Sequence, residues 1–111
     1  MYINKDSMRI FVDIDETICF YKDEDKNKPR DYNQAIPYPH RIEKINKLYD
    51  RGNTIVYWTA RGSVTQINWF ELTYSQLVAW GAKFHELRMG KPAYDLFIDD
   101  KNIEADTFFN N

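Results

Sequence analysis

The alternation of short β-prone runs with helical segments is the feature that most limits how this chain can fold. Apolar runs rich in β-forming residues predict four strands, at residues 9–13, 53–59, 83–87 and 95–99. The first of them has the continuous apolar character of a fully buried strand. Strands that alternate with helices are joined by crossovers, which place parallel strands side by side. The predicted fold class is α/β: a three-layer, Rossmann-like, mostly parallel sheet with helices on both faces.

The first helical segment carries a start signal, a stop signal and an apolar stripe. Pro39 suits the first turn of a helix, and Gly52 suits its C-terminal end. Ile42, Ile45 and Leu48 follow the helical spacing and predict the face that packs on the sheet.

The second helical segment is predicted to begin with Ser63 and Gln66, which have the spacing of a capping box, and to end at Gly81. Its expected core face consists of Ile67, Phe70, Tyr74, Leu77 and Val78. Trp69, Thr73 and Trp80 fall on another face, where they indicate either a satellite core or an oligomer contact.

Length and charge limit the class of protein. The 111 residues suit one domain, residues 1–111, and the net charge of −2 argues against a nucleic-acid partner. Cys19 is the only cysteine, which excludes an internal disulfide and suits a reducing compartment. No apolar stretch is long enough for a membrane span, so the expected location is the cytoplasm, with no membrane partner. Met8 offers a second start, which would make residues 1–7 an optional extension.

Polar side chains follow three of the four predicted strands. These polar residues are Asp13, Asp15 and Thr17 at the end of the first strand, Thr59 and Arg61 at the end of the second, and Asp99 and Asp100 at the end of the fourth, with Lys91 in the loop before it. In open α/β sheets, ligands bind in the crevice at the carboxyl ends of the strands. The sequence therefore predicts a functional site at this edge.

Several carboxylates at one edge need a partner. Two like charges about 4 Å apart repel by roughly 4 kcal/mol at an effective dielectric near 20, and a bound cation or proton uptake relieves this. A few hard oxygen ligands suit Mg²⁺, whereas His40 and His85 stand alone and form no zinc set. Together with Lys91 and Thr59, these groups can hold a phosphoryl group and leave one Asp free to attack it.

At this point the sequence resembles the haloacid dehalogenase (HAD) superfamily. Its four motifs are matched in order between residues 8 and 102 by Asp13-x-Asp15-x-Thr17, Thr59, Lys91 and Asp99-Asp100. More narrowly, residues 57–62 and 89–95 resemble small bacterial HAD phosphatases linked to capsular or surface polysaccharide biosynthesis.

The resemblance implies a role for each matched residue. Asp13 would be the nucleophile and a Mg²⁺ ligand, and Asp15 would act as general acid and base while its main-chain carbonyl binds the cation. Thr59 and Lys91 would hold the phosphoryl oxygens. Asp99 would complete the metal site, with Asp100 a ligand directly or through water. Thr17 would shape the turn. Arg61 either contacts the substrate or is a surface cation.

The resemblance is to the capless type, because the chain has no room for a cap domain. Residues 18–38 allow only a flap with a brief strand near Cys19, and residues 62–90 are filled by one helix and one strand. Such an enzyme either accepts a bulky substrate in an open site or covers the site by forming a homo-oligomer. Three tyrosines in or near the flap either stack on a substrate or pack the flap down: Tyr21, Tyr32 and Tyr38. The expected substrate is a small phosphorylated metabolite such as a sugar phosphate.

Other functions remain open at this stage. Within the same fold, the chain could be a phosphotransferase or a phosphatase of nucleotides or nucleic-acid ends. A non-catalytic HAD-like binding protein is a further alternative. A phospho-accepting receiver module uses similar residues, but it places its acidic pair first, whereas here the pair at Asp99 comes last.

Overall fold

The computed structural model describes residues 7–110. The strands are β1 (Arg9–Val12), β2 (Cys19–Phe20), β3 (Ile36–Pro37), β4 (Thr54–Trp58) and β5 (Glu86–Arg88). The helices are α1 (Pro39–Asp50), α2 (Phe70–Ala79) and α3 (Ala105–Phe109). The predicted optional extension lies outside the described residues except for Ser7.

The main sheet has three parallel strands in the order β1-β4-β5. Its register pairs Arg9 with Thr54 and Val12 with Tyr57. β4 lies in the middle, and its Ile55, Val56 and Tyr57 are buried because the strand has a neighbour on each side. The α/β class with a parallel sheet is therefore confirmed, and the third strand lies slightly later in the chain than predicted.

Helix α1 forms as predicted. Ile42, Ile45 and Leu48 are buried in the main core, together with side chains of β4. The helix ends at Asp50, and Gly52 follows with a φ of 97°, a left-handed conformation that favours glycine.

Helix α2 differs from its prediction in both its start and its buried face. It begins at Phe70, because Gln66 has a φ of 65° and the Ser63 hydroxyl donates to the Lys91 carbonyl, so no capping box forms. Of the predicted core face, only Leu77 is buried, and the others are exposed. Thr73 is buried instead, because its hydroxyl bonds a buried arginine, Arg61. The predicted core face was based on hydrophobic spacing alone, which gives no information about this polar contact.

The two tryptophans near α2 make contacts within the chain. The Trp69 ring meets the Tyr32 ring edge-on at 5.1 Å. Trp80 is half-buried and packs against the main core.

The predicted fourth strand is absent from the described residues. Residues 95–99 form no strand, and every residue from 92 to 104 is exposed. As a result β1 is an edge strand, with Arg9 and Phe11 exposed, so the prediction of a fully buried first strand is wrong. A parallel strand is buried on both sides only when it has neighbours on both sides.

Helix α3 packs against helix α1 near the end of the described residues. The Glu104 carboxylate accepts hydrogen bonds from the backbone N–H groups of Asp106 and Thr107, which caps α3. Arg41 on α1 bonds Asp106 at 2.8 Å and lies over the Phe109 ring, so α3 docks on α1.

Strands β2 and β3 form a small antiparallel sheet after the loop that follows β1. Between them, residues 22–31 form an irregular loop that is mostly exposed. Within residues 7–110, no helix combines the length and the apolar character needed to cross a membrane.

Candidate active site

The loop after β1 places two carboxylates at the carboxyl end of the sheet. Backbone bonds from the N–H groups of Thr17 and Ile18 to the Ile14 carbonyl turn the chain back directly after the strand. The Thr17 hydroxyl donates to Asp13 Oδ2 at 3.4 Å. Thr17 thus supports the turn, and Asp13 and Asp15 lie in it on either side of the buried Ile14.

Asp13 lies beside Lys91. The Lys91 ammonium is 3.5 Å from Asp13 Oδ1, and its side chain is only 13% exposed. Burial raises the pKa of Asp13, and the charge of Lys91 offsets part of that rise. A partly desolvated carboxylate next to a fixed cation is a typical arrangement for a nucleophile that must approach an anionic group.

Thr59 occupies the neighbouring strand end, as predicted. It follows β4 directly and is buried, and its Oγ1 accepts a hydrogen bond from the Arg61 backbone N–H at 3.1 Å. Its carbonyl accepts from the backbone N–H of Lys91 at 3.1 Å. The β4 end therefore fixes the backbone of Lys91 while the Lys91 side chain extends to Asp13.

Asp15 is held by a buried arginine. Arg61 donates to both carboxylate oxygens of Asp15, from Nε at 3.0 Å and from Nη2 at 2.8 Å. Two further donors serve the same Asp15 Oδ1: the Tyr21 hydroxyl at 2.5 Å and the Cys19 thiol at 3.3 Å. The side chain of Arg61 is fully buried, so Arg61 is not the surface cation that the sequence allowed.

Nη2 of Arg61 also donates to the Tyr21 hydroxyl at 3.4 Å, and the donors on Nη1 go to helix α2. Nη1 donates to Thr73 Oγ1 at 3.0 Å and to Gln76 Oε1 at 2.6 Å. Sequence reasoning missed both partners; the available signal was a Thr and a Gln three residues apart, which places them on the same face of the helix. Because these bonds occupy the guanidinium, the placement of Arg61 supports a role in holding Asp15 rather than a substrate contact.

The ionisation of Asp15 follows from these contacts. Burial by itself would raise the pKa of Asp15, but the hydrogen bonds and charge of Arg61 outweigh it, and the pKa is lowered. Asp15 is therefore ionised in this arrangement. Burial raises the pKa of the Cys19 thiol, which stays protonated and can donate to Asp15.

The loop at residues 22–31 packs down beside Asp15. Arg30 pairs with Glu24 and with Glu16, the latter at 2.9 Å, and its guanidinium lies 4.3 Å from the centre of the Tyr21 ring. The Tyr32 ring covers Arg61 at 4.8 Å. Tyr21 and Tyr32 thus pack this segment onto the site, which is one of the two roles that the sequence left open.

The predicted metal ligands are not gathered together. Asp99 and Asp100 are exposed on the segment after residue 92. Within residues 7–110, no group of three or more Asp, Glu, His or Cys side chains could hold a metal ion. The structure therefore brings Asp13, Asp15, Thr59, Arg61 and Lys91 together and leaves Asp99 and Asp100 outside.

The turn that carries Arg61 depends on Gly62. Gly62 has a φ of 82°, and a Cβ there would lie 2.1 Å from the Ile67 carbonyl oxygen, which cannot move without shifting the backbone. We expect Gly62→Ala to lower the free energy of unfolding well beyond the ~1–2 kcal/mol that a left-handed alanine costs. Urea denaturation measures the loss.

Gly81→Ala is the matched control for Gly62→Ala. Gly81 has a similar φ of 75°, but a Cβ there would meet nothing within 4 Å. Its substitution therefore carries the backbone cost alone. Equal losses in the two variants would contradict the close packing of Gly62 against residue 67.

Comparison with known proteins supports the fold alone. No family model matches the chain, and no curated protein matches it significantly. A crystal structure of a structural-genomics target from Vibrio cholerae is similar, with a TM-score of 0.77 and 22% identity over 95% of this chain and 89% of that chain. At this identity, the chain shares an α/β fold with its neighbour, and its function must be argued from its own residues.

Proposed function

We propose that this protein is a Mg²⁺-dependent phosphatase that hydrolyses a phosphomonoester through an aspartyl-phosphate on Asp13. The observation that carries the proposal is the contact between Asp13 and Lys91 at the carboxyl end of the sheet, next to Thr59. These are a nucleophile, a fixed cation and a hydroxyl, each on a different segment. Their chemistry suits phosphoryl transfer, which depends mainly on positioning and charge neutralisation.

Asp13 would attack the phosphorus atom while the bond from phosphorus to the leaving oxygen breaks. The Lys91 ammonium and the Thr59 hydroxyl, which has a proton to donate, would hold the transferred oxygens. Water then attacks the aspartyl-phosphate, releases inorganic phosphate and restores the Asp13 carboxylate. This mechanism requires the Lys91 ammonium to lie beside Asp13, where it offsets negative charge, while the Asp13 carboxylate stays free to attack.

Asp15 would donate a proton to the leaving oxygen and later accept one from the attacking water; because Arg61 holds Asp15 ionised, it must take up a proton from solvent before the first step. Its ionised state suits the second half of that role, in which it accepts a proton from water. The donors that surround it are Arg61, Tyr21 and Cys19. They fix its position, and the Tyr21 hydroxyl is the donor that must yield for Asp15 to take up a proton.

A cation fits part of this site. Asp13 has a carboxylate and Asp15 a main-chain carbonyl in the same loop, and Mg²⁺ favours a few hard oxygen ligands while keeping several waters. Asp99 or Asp100 would supply the remaining carboxylate, and neither lies there in the single chain. When bound, Mg²⁺ would neutralise charge on the transferred phosphoryl group.

The proposed substrate is a small phosphorylated metabolite, such as a sugar phosphate of polysaccharide biosynthesis, hydrolysed in the cytoplasm. The resemblance of residues 57–62 and 89–95 to small bacterial HAD phosphatases supports this substrate class. The loop at residues 22–31, which Arg30 holds against Glu16 and the Tyr21 ring, would be the short flap of a capless enzyme.

The test is phosphate release from an aryl phosphate and from a panel of sugar phosphates and nucleotides. We expect release with Mg²⁺, loss of release in excess EDTA, and recovery when Mg²⁺ is restored. Lys91→Met should lower kcat/KM by about 10²–10³-fold, as removal of a donor to the developing charge does. Lys83→Met is the matched control, since Lys83 pairs with Asp50 at the surface.

Three results would contradict the proposal. Release that persists in EDTA would exclude the cation, and equal activity of Lys91→Met and Lys83→Met would exclude Lys91. A phosphorylated Asp13 that persists for hours without release of phosphate would indicate a receiver-like module instead.

A further inference from the structure

Two unpartnered features stand out in the chain. Among the described residues, β1 pairs only with β4, so its other edge is free, and Phe11 is 43% exposed. Residues 92–104, here called the arm, are all exposed, and they include Leu96 at 76% and Ile98 at 88%. Free strand edges and large exposed apolar groups are typical of surfaces that another chain covers.

The free edge and the arm match each other residue by residue. β1 and the next residue have the sequence Arg9, Ile10, Phe11, Val12, Asp13, and the arm contains Asp95, Leu96, Phe97, Ile98, Asp99. A parallel pairing in this register places Asp95 beside Arg9 and Phe97 beside Phe11. Leu96 and Ile98 would then share the face of Ile10 and Val12, which lies against the core.

The segment from Lys91 to Asp95 is too short for the arm to pair with β1 of the same chain. The Lys91 N–H is bonded to the Thr59 carbonyl at one end of β4. Asp95 would have to lie on the far side of β1, at the level of Thr54 at the other end of β4. That requires about 16 Å along the strands and about 10 Å across two strand spacings, or about 19 Å in all. The four residues from 91 to 95 span at most about 14 Å.

We propose that residues 95–99 of one copy of this chain add to the free β1 edge of a second copy as a parallel fourth strand. Because each copy has both the edge and the arm, the exchange is reciprocal and closes as a two-fold dimer. It covers the free edge, buries Leu96 and Ile98, and pairs Asp95 with Arg9 of the second copy.

The exchange also completes the acidic cluster, a consequence that rests on the proposed function. In the paired register, Asp99 of the second copy lies beside Asp13, and Asp100 follows at the carboxyl end of the sheet. The carboxylates that one chain leaves apart are thereby gathered. Each active site would then contain the nucleophile of one copy and metal ligands of the other.

The first test does not depend on activity. Phe11→Cys and Phe97→Cys are made in separate copies that also carry Cys19→Ser, one copy bears a mass tag, and the two are refolded together and oxidised. We expect a disulfide-linked heterodimer. Val64→Cys replaces Phe11→Cys in the control, because Val64 is 77% exposed but lies outside β1.

Two outcomes of that test overturn the proposal. One is the absence of a linked heterodimer, or linkage equal to that of the Val64→Cys control. The other is a link within a single chain when one copy carries both cysteines, which would show that the arm pairs with its own β1.

The second test connects the exchange to catalysis. Asp13→Asn and the double variant Asp99→Asn/Asp100→Asn are each expected to be inactive, but a refolded mixture should regain about a quarter of the wild-type activity. Half of the dimers would be mixed, and each would have one site built from an intact Asp13 and an intact arm. A linked heterodimer without regained activity, in a protein whose wild type is active, overturns the shared site. A linked heterodimer whose wild type releases no phosphate keeps the exchange and overturns only the phosphatase.

Discussion

Asp13→Asn should reduce the rate of phosphate release by at least about 10³-fold, because the carboxylate that forms the covalent bond to phosphorus is lost. The amide keeps the shape of the side chain and can still accept from Thr17, so the loop after β1 should stay in place. Phosphate release under saturating Mg²⁺ and substrate measures the effect. Asp25→Asn is the matched control, since Asp25 lies on the exposed loop after β2.

The same variant should be at least as stable as the wild type at neutral pH. Burial raises the pKa of Asp13, so the unfolded chain loses this proton at a lower pH than the folded one. Ionisation of Asp13 therefore costs stability as the pH rises from the ordinary value of 3.8 through the raised one. Asn removes that cost. Thermal unfolding at pH 7 tests this, and an inactive variant that is also unfolded would show a structural rather than a chemical role.

Arg61→Met should lower the free energy of unfolding by about 3–5 kcal/mol, the loss typical of breaking a buried ion pair. The variant leaves the Asp15 carboxylate without its two strongest donors, and it removes partners from Thr73 and Gln76 in α2. Urea denaturation at pH 7 gives the loss. Arg88→Met is the control, because Arg88 and Glu86 are 41% and 43% exposed and such pairs contribute at most about 1 kcal/mol.

The pH dependence separates the ion pair from simple packing. Arg61 lowers the pKa of Asp15, so the pair contributes stability above the ordinary value of 3.8, and this stability is lost as the pH falls through the lowered pKa. In Arg61→Met, the buried Asp15 carboxylate has lost its cation, so protonation of Asp15 stabilises the folded variant as the pH falls. The two proteins should therefore become closer in stability below about pH 4. A difference that stays constant with pH would assign the loss to packing alone.

Much of the site was predictable because its residues lie at the ends of strands, and short apolar runs in the sequence indicate where those strands are. Asp13 and Thr59 lie where the sequence placed them, at the ends of β1 and β4. Helix α1 was also predictable, since Pro39 and Gly52 bound an apolar stripe. In each case the signal lies within a few residues of the structure it specifies.

The role of Arg61 was not predictable, because its partners come from three separate segments. Asp15 lies 46 residues before Arg61 in the chain, and Gln76 lies 15 residues after it. The hydrogen bond from Arg61 to Thr73 also determines which face of α2 is buried: Thr73 faces inward, whereas Tyr74 and Val78 face outward. Hydrophobic spacing alone favoured the opposite face, and it had no information about a buried guanidinium that needs hydrogen-bond acceptors.

The sequence by itself determined the parallel α/β sheet, helix α1 and the positions of Asp13, Thr59 and Lys91 near strand ends, since these depend on local propensity and on apolar spacing. Only the tertiary structure decided that Arg61 holds Asp15 and that residues 95–99 stay off the sheet. A β-prone segment becomes a strand only where a free edge lies within its reach. Because Lys91 is bonded to the end of β4, residues 95–99 cannot reach the free edge of β1 in the same chain.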